Sequence, residues 1–369
     1  MNFTPAMKQL KIVTLSKRWK HHSKSGGYDQ LIQTINSTDI YPAQKTKHVF
    51  HADFRRKMLR KLMPSVQHLN GYQLKDLSAE LRSMIAVKRE QADLLHALYG
   101  EDQLNLLLRF RNRIDCALVA SYHLPAESTY MKRASVTGSL DRLSGLDAAI
   151  VMSNSMVEDY EQWTGKGKVF FVPHGIDTNT FKPAESKLKT DKKTFMVLTV
   201  GGHGRDWETI KEAAKTFYDR ADHIKFHIVA PYKIKQLFED TPNVQVYSAI
   251  PEEQLIELYR ESDVVLLPVH YATANNSLLE ALACGVPVIS TRTGGIPDYL
   301  DNTSGWLLPA GDKHEVIELI GSLHDNRLLL AEKKIGARRK ALNFDWEKVS
   351  EQMYDVYRFA INHFDKVKR

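Results

Sequence analysis

Cysteine is nearly absent: the chain of 369 residues has two, Cys116 and Cys284, far apart and each in an apolar context. Two isolated thiols do not make the framework of a small secreted scaffold. They fit buried free cysteines in a reducing compartment. Long apolar runs are missing too. No stretch approaches the roughly 18 uncharged apolar residues that a membrane span needs, and MNFTPAMKQLKIVTLSKRWK has no apolar run of signal-peptide length before its charges. A cytoplasmic, non-spanning protein is expected. Proline is modest at 13 residues, without repeats or low-complexity tracts, so collagen, coiled coil and disorder are excluded. There is no zinc-type Cys/His cluster, no Walker-type loop and no G-x-S-x-G elbow, and His21, His22, Asp53, Glu101 and Asp102 form no metal pattern. No metal site is expected.

What is present is an ordinary globular composition, 43% apolar and 26% charged, in a chain long enough for two domains. The net charge of +7 is placed unevenly. Residues 1–165 carry 23 Lys and Arg against 16 Asp and Glu, whereas the remainder is balanced at 28 each. The first 61 residues alone hold 13 basic and 3 acidic side chains. Such an excess predicts a positive face suited to an anionic acceptor, a membrane surface or nucleic acid. Nucleic acid is disfavoured because no reading module accompanies the charge. In DFRRKMLRKLM at 53–63, Phe54, Met58, Leu59, Leu62 and Met63 share one helical face opposite basic residues. That helix could lie on anionic lipid or pack on the N-terminal sheet. Lys17, Arg18, Lys20 and Lys24 sit in a different segment and could face a cleft.

Short apolar runs alternate with helical patterns, which indicates mostly parallel α/β layers. KIVTL at 11–15 reads as a buried strand followed by the polar loop SKRWKHHSKSGG, with a helix starting near Tyr28. Helices are expected at 72–90 and 103–113, and strand-then-loop units at CALVASYHLP, LDAAIVMSN and VFFVPHGID. The polar segment 178–193, TNTFKPAESKLKTDKK, reads as a linker to a second series: TFMVLTVGG, WETIKEAAKTFYDRA, IKFHIVA, VQVYSAI, PEEQLIELYRES, VVLLPV, SLLEALACG and PVISTRTGG. A last helix over 346–363 aligns Trp346, Val349, Met353, Val356, Tyr357 and Ala360. Two successive α/β units make a cleft between domains the expected ligand site.

The strongest local signal is NNSLLEALACGVPVISTRTGG. Ser277 and Glu280 have capping-box spacing, so they could simply cap a helix whose first amides and field favour a phosphate. Glu280 could instead accept hydrogen bonds from the vicinal hydroxyls of a ribose. Gly294 and Gly295 fit either close backbone approach to a ligand or a tight turn. In VGGHGRDWETI, Gly201, Gly202 and Gly204 leave amides accessible and Arg205 offers a planar charged fork for phosphate oxygens, or a surface ion pair. The glycine spacing is not a dinucleotide fingerprint. His123 in SYHLP and His174 in PHGID stand at strand-to-loop positions, where a lone histidine can be a ligand or a structural turn residue.

Taken in order, VPHGIDTNTFKP, VGGHGRDWETIKEA, SDVVLLPVHYATANNSLLEALACGVPVISTRTGGIPDYL and FDWEKVSEQMYDVY resemble glycosyltransferase family 4, retaining enzymes of the GT-B fold. The resemblance runs over essentially the whole chain. It implies two Rossmann-like domains facing across a cleft: residues 1–180, an acceptor-binding domain completed by 346–369, where the last helix crosses back, and residues 181–345, which bind the nucleotide-sugar. It implies that Glu280 binds the donor ribose and that Asn275, Asn276 and Ser277 lend amides to the diphosphate. Arg205 would neutralise charge on the leaving group, His123 would lie near the donor sugar, and Gly26 and Gly27 would form the loop after the first strand. Such enzymes use front-side substitution without a protein nucleophile, and need no metal or other cofactor. The expected partners are a nucleotide-sugar donor and a sugar, glycolipid or polyanionic acceptor, with peripheral contact at the inner membrane face.

Two positions depart from the family. Its first glutamate, eight residues before Glu280, is Ala272, for which Thr273 or an asparagine could compensate. Its usual arginine in the loop after the first C-domain strand is replaced by glycines, a role His203 could partly fill. These losses leave a non-catalytic binding or partner protein as the alternative, and a sugar-nucleotide hydrolase or epimerase as a third reading.

Overall fold

The computed structural model describes residues 10–17, 25, 27–37, 45–50, 74–128, 131, 140–184, 194–220 and 223–368. The chain divides into two compact units. One comprises residues 1–22, 26–174 and 346–369; the other comprises 23–25 and 175–345.

The first unit is built on a six-stranded sheet. Its strands are β1 (Lys11–Ser16), β2 (Lys45–Phe50), β3 (Leu94–Ala97), β4 (Ala117–Tyr122), β5 (Ala148–Val151) and β6 (Val169–Phe171), in the order β2-β1-β3-β4-β5-β6. Every pairing is parallel, and Ile12 to Ala97 registers through Ile12↔Leu94 and Leu15↔Ala97. All residues of β3, β4 and β5 are buried, which accounts for their continuous apolar runs: a strand covered on both faces has no solvent side to alternate with. The helix Leu74–Glu90 packs on β1 and β2, and the helix Trp346–Lys368 packs on β4, β5 and the helix Gln30–Ser37. The last helix buries Trp346, Val349, Met353, Val356, Tyr357 and Ala360, the face its spacing predicts. The expected helix over 103–113 is broken into Asn105–Arg109 and a 3₁₀ turn at Arg111–Arg113. The basic segment 53–63, together with Gly26, Arg18, Lys20 and Lys24, lies outside the described residues.

The second unit repeats the plan. Its strands are β7 (Phe195–Val200), β8 (Ile224–Val229), β9 (Val244–Tyr247), β10 (Val264–Leu267), β11 (Val288–Thr291) and β12 (Gly305–Leu308), in the order β12-β11-β10-β7-β8-β9. All pairings are again parallel. Read from the far edge, this is the doubly wound order in which the chain reverses direction between its first and fourth strands, here β7 and β10. Strand β12 and the helices Val157–Thr164, Lys313–Asp325 and Arg327–Ala341 were not anticipated by sequence pattern. The start of the segment read as a linker is anchored at two points: Phe181 is fully buried, Thr178 bonds Asp345, and the Arg338 guanidinium donates to the carbonyls of Thr178, Phe181 and Ala283. Both cysteines are free and buried, and burial pushes each thiol up to about 12. Among the described residues no helix is long and apolar enough to cross a membrane.

Candidate functional site

The reversal point of the second sheet gathers three loops. The first follows β7. Gly201 (φ +92°) and Gly204 (φ +67°) take left-handed backbone that L residues avoid, and a Cβ on Gly201 would lie 2.7 Å from Arg205 Nη2. The turn carries the Arg205 side chain back over the end of its own strand. Its Nε and Nη2 donate to the Val200 carbonyl at 3.1 and 2.6 Å, and Nη1 donates to the His203 carbonyl at 3.2 Å. Arg205 is therefore no surface ion-pair residue: it is 8% exposed, and burial lowers its guanidinium to about 10 against the pull of Tyr259 and Glu280. His203 itself is exposed and contributes its carbonyl. Asp206 then caps the helix Trp207–Asp219 by accepting from Thr209 N.

The second loop follows β10 and leads into the helix Asn276–Ala283. The structure corrects the capping-box expectation here. Asn275 is the cap, its Oδ1 accepting from Leu278 N at 3.2 Å. This frees Ser277 and Glu280. Ser277 Oγ accepts from Arg205 Nη2 at 3.4 Å. Glu280 Oε2 accepts from the Tyr259 hydroxyl at 2.9 Å. Burial raises the Glu280 carboxyl to about 7; the Tyr259 hydrogen bond and, more weakly, Arg205 oppose this, while Glu252 adds to it. With Leu278 N capped and Leu279 N bonded to Asn275 O, the amides of Asn276 and Ser277 head the helix, where its dipole favours an anion. Asn276 is exposed, whereas Thr273, Asn275 and Ser277 are buried.

The third loop follows β11. Gly295 N donates to the Ala272 carbonyl at 2.8 Å, and a Cβ on Gly294 (φ +50°) would stand 2.3 Å from that same oxygen. The two glycines thus seat one backbone against another. Ala272 contributes a carbonyl to this junction and no carboxylate to the loop.

In the first unit, His123 follows β4. Its ring stacks on Tyr99 at 4.8 Å and meets the edge of Tyr28 at the same centroid distance. Glu101 accepts from the amides of His123 and Leu124 and lies 3.6 Å from His123 Nδ1. Gly27, in left-handed backbone at φ +106°, turns the chain into the segment holding Tyr28. His174 is buried beside Tyr28 and Trp346, at 5.4 and 5.2 Å between ring centroids. Beneath them runs a buried polar chain. Tyr357 Oη lies 2.8 Å from His96 Nδ1, His96 Nε2 lies 2.8 Å from Ser121 Oγ, and Ser121 donates to Tyr28 Oη at 3.2 Å. Burial, reinforced by His123, drops His96 to about 3, so it stays neutral.

Of the residues expected at one donor site, the structure brings Arg205 to Ser277 and Glu280 to Tyr259; Tyr259, which lies in a helix that reads only as amphipathic, was missed. So were Tyr28, Tyr99 and the linking role of Glu101. Among the described residues no group of three His, Cys, Asp or Glu side chains is placed to hold a metal ion.

Residues 194–326 match the model of a family described as glycosyl transferases group 1. A D-inositol 3-phosphate glycosyltransferase of Saccharomonospora viridis is 34% identical over 113 residues, 30% of this chain and 26% of the relative. The chain therefore spans about a quarter of that relative's length. Over the whole molecule, the Anabaena protein HepE, solved with UDP and glucose, superposes with a TM-score of 0.69 at 16% identity, covering 94% of this chain and 99% of that one. Sucrose-phosphate synthase of Thermosynechococcus elongatus gives 0.68 at 18% identity, covering 95% and 98%. The architecture is GT-B, two Rossmann-like α/β domains.

Proposed function

We propose that this chain is a retaining glycosyltransferase of family 4 that moves a sugar from a nucleotide-sugar donor to a hydroxyl acceptor in glycan or glycolipid assembly. The observation that carries the reading is the buried convergence of Arg205, Ser277 and Glu280 where the second sheet reverses direction. Doubly wound sheets bind ligands at that point. Arg205 supplies a permanent positive charge beside the helix start, suited to the diphosphate. The amides of Asn276 and Ser277 add donors, and Glu280 is an acceptor for ribose hydroxyls. The D-inositol 3-phosphate glycosyltransferase relative and the UDP complex of HepE support a nucleotide-sugar as the donor.

The reaction asks little covalent chemistry of the protein. The bond from the anomeric carbon to the diphosphate breaks as the acceptor oxygen bonds on the same face, and the leaving phosphate takes the acceptor proton. Arg205 stabilises the charge gathering on that phosphate without reorganising, because four hydrogen bonds already hold it. His123, oriented by Glu101 and Tyr99, is assigned to the donor sugar; Gly26 and Gly27 are assigned to the loop beside it. His174 and Thr273 are assigned supporting positions. No metal or other cofactor enters this reading. The acceptor is a sugar, a glycolipid or a polyanion, and the protein works in the cytoplasm, at the membrane face when the acceptor is lipid-linked. One observation favours a second reading, a non-catalytic binding protein: Ala272 has only a methyl group where the family has a carboxylate.

Calorimetry against UDP-, GDP-, ADP-, CMP- and dTDP-sugars, without added metal, tests the donor. Binding of one member, lost in Glu280→Ala, is expected, and sugar transfer to an acceptor then separates the enzyme from a binding protein. Equal binding by Glu280→Ala and the wild type would remove the ribose role.

A further inference from the structure

Glu280 performs an unusual task under this reading: it must accept hydrogen bonds as a carboxylate from a position where burial favours its protonated form. The groups around it differ in what they can do about that. From its own helix, Cys284 holds a neutral thiol, since burial pushes it up to about 12. From the loop after β7, Arg205 acts at a distance, its guanidinium already donating to Val200, His203 and Ser277. From the helix Arg327–Ala341 on the other side, Arg338 donates to backbone carbonyls. The helix Glu252–Glu261 presents two groups of opposite effect: Glu252, a like charge, and Tyr259, which touches the carboxylate.

Tyr259 is completely buried, and its hydroxyl is placed 2.9 Å from Glu280 Oε2 and 3.3 Å from the Ser277 carbonyl. Both oxygens belong to the first turns of the Asn276–Ala283 helix, the turns that head the nucleotide site. Desolvation and the neighbouring Glu280 charge push this phenol well above its ordinary value, so it remains a donor at every working pH. By occupying Oε2 it leaves Oε1, among the described residues, as the oxygen available to a ligand.

Resting on the ribose role of Glu280, we propose that Tyr259 is a positioning residue of the nucleotide site, whose hydroxyl anchors the Glu280 carboxylate in its ionised, ribose-accepting orientation. A tyrosine needed only for packing would do its work through the ring. A hydroxyl needed only to satisfy itself against the Ser277 carbonyl would affect stability and leave the pH dependence of binding unchanged.

Tyr259→Phe keeps the ring and removes the donor. The measurement is the dissociation constant of the nucleotide-sugar selected by the panel, or of UDP if no sugar form is preferred, from pH 5.5 to 9. In the wild type, affinity falls as acid protonates Glu280. In Tyr259→Phe the midpoint of that fall moves up by about one pH unit, the worth of one hydrogen bond to a charged group. Affinity is then about tenfold weaker at pH 6 and within about twofold of wild type at pH 9. Site-specific 3-fluorotyrosine at 259, isosteric and a stronger donor, moves the midpoint the opposite way and serves if the phenylalanine variant folds poorly. An unchanged midpoint in these variants, whether affinity is retained or uniformly weakened, overturns the proposal. Glu280→Gln is the separate check on the underlying reading. If it binds as wild type does, the ribose role fails; if it binds weakly with a flat pH profile, that role stands and the Tyr259 result alone decides.

Discussion

The loop ends of the two sheets hold their polar groups in different ways. In the second unit, Arg205 and Glu280 are charged or chargeable groups taken out of water and fixed by short bonds to backbone carbonyls and a phenol. In the first, His123 and His174 are embedded in aromatic rings, with Glu101 turned towards main-chain amides. The first arrangement suits a ligand that always brings the same charge and the same sugar hydroxyls, because rigid, desolvated partners cost no reorganisation on binding. The second surrounds its histidines with aromatic rings, and its buried charges are engaged inside the unit, Lys17 with Asp76 and Asp102 and Glu101 with main-chain amides. On the proposed reading, nucleotide recognition falls to the second unit and acceptor recognition to the first.

The largest expected break in that contrast is Arg205→Lys. A lysine cannot reproduce the fork that spans Val200 and His203, so transfer falls by about 10²–10³-fold, with a smaller loss in donor affinity. Steady-state kinetics with the selected donor reads this, and unchanged turnover would detach Arg205 from the leaving group. Next in size is Glu280→Gln. Because the folded carboxyl sits near 7, above its ordinary 4.5, the native state holds that proton more tightly than the unfolded chain. Stability contributed by Glu280 therefore declines as pH rises from about 4.5 through about 7 and stays low above it. Glutamine removes the deficit, so the variant should gain up to about 2–3 kcal/mol on wild type at pH 8 and little at pH 5, while losing nucleotide affinity. Urea melts at the two pH values measure it, and equal differences at both would contradict the charge argument.

Gly294→Ala probes the backbone junction. With left-handed φ and a Cβ 2.3 Å from the Ala272 carbonyl, the variant should lose about 2 kcal/mol of stability or shift the loop. Thermal denaturation detects the first and donor affinity the second; a fully neutral variant would mean the two loops move freely. The smallest expected effect sharpens the comparison most: His123→Phe should leave nucleotide affinity within about twofold, since an aromatic ring preserves the stacking with Tyr99, yet lower transfer. A large loss of UDP affinity in that variant would dissolve the division of labour between the units.

Much of this was legible in the residues because it is local. Continuous apolar runs named the strands, and NNSLLEALACG placed Ser277 and Glu280 one helical turn apart beside a strand end. What local spacing could not decide was which side chain caps that helix. Asn275 wins because its side chain reaches Leu278 N from just before the first turn, and the pair read as a capping box bonds Arg205 and Tyr259 instead. Tyr259 lay beyond reach for another reason: in ELYRES it is one apolar position of an amphipathic helix, and only the packing of that helix brings it to a carboxylate 21 residues later. The short edge strand β12 and the strongly polar helix Arg327–Ala341 carry too little apolar periodicity to announce themselves.

The polar chain from Tyr357 through His96 to Tyr28 bears on how the protein is made. His96 and Ser121 belong to the first unit's central strands, but the hydroxyl that satisfies His96 Nδ1 lies 261 residues further along, beyond the whole second unit. On the ribosome, the early strands emerge and can pair long before that partner exists. Until the helix Trp346–Lys368 arrives, the apolar cover over β4 and β5 is missing and an imidazole nitrogen lacks its intended bond. The half of the molecule translated first is completed last, and a nascent chain stalled before residue 346 carries an open sheet face that a chaperone would have to shield.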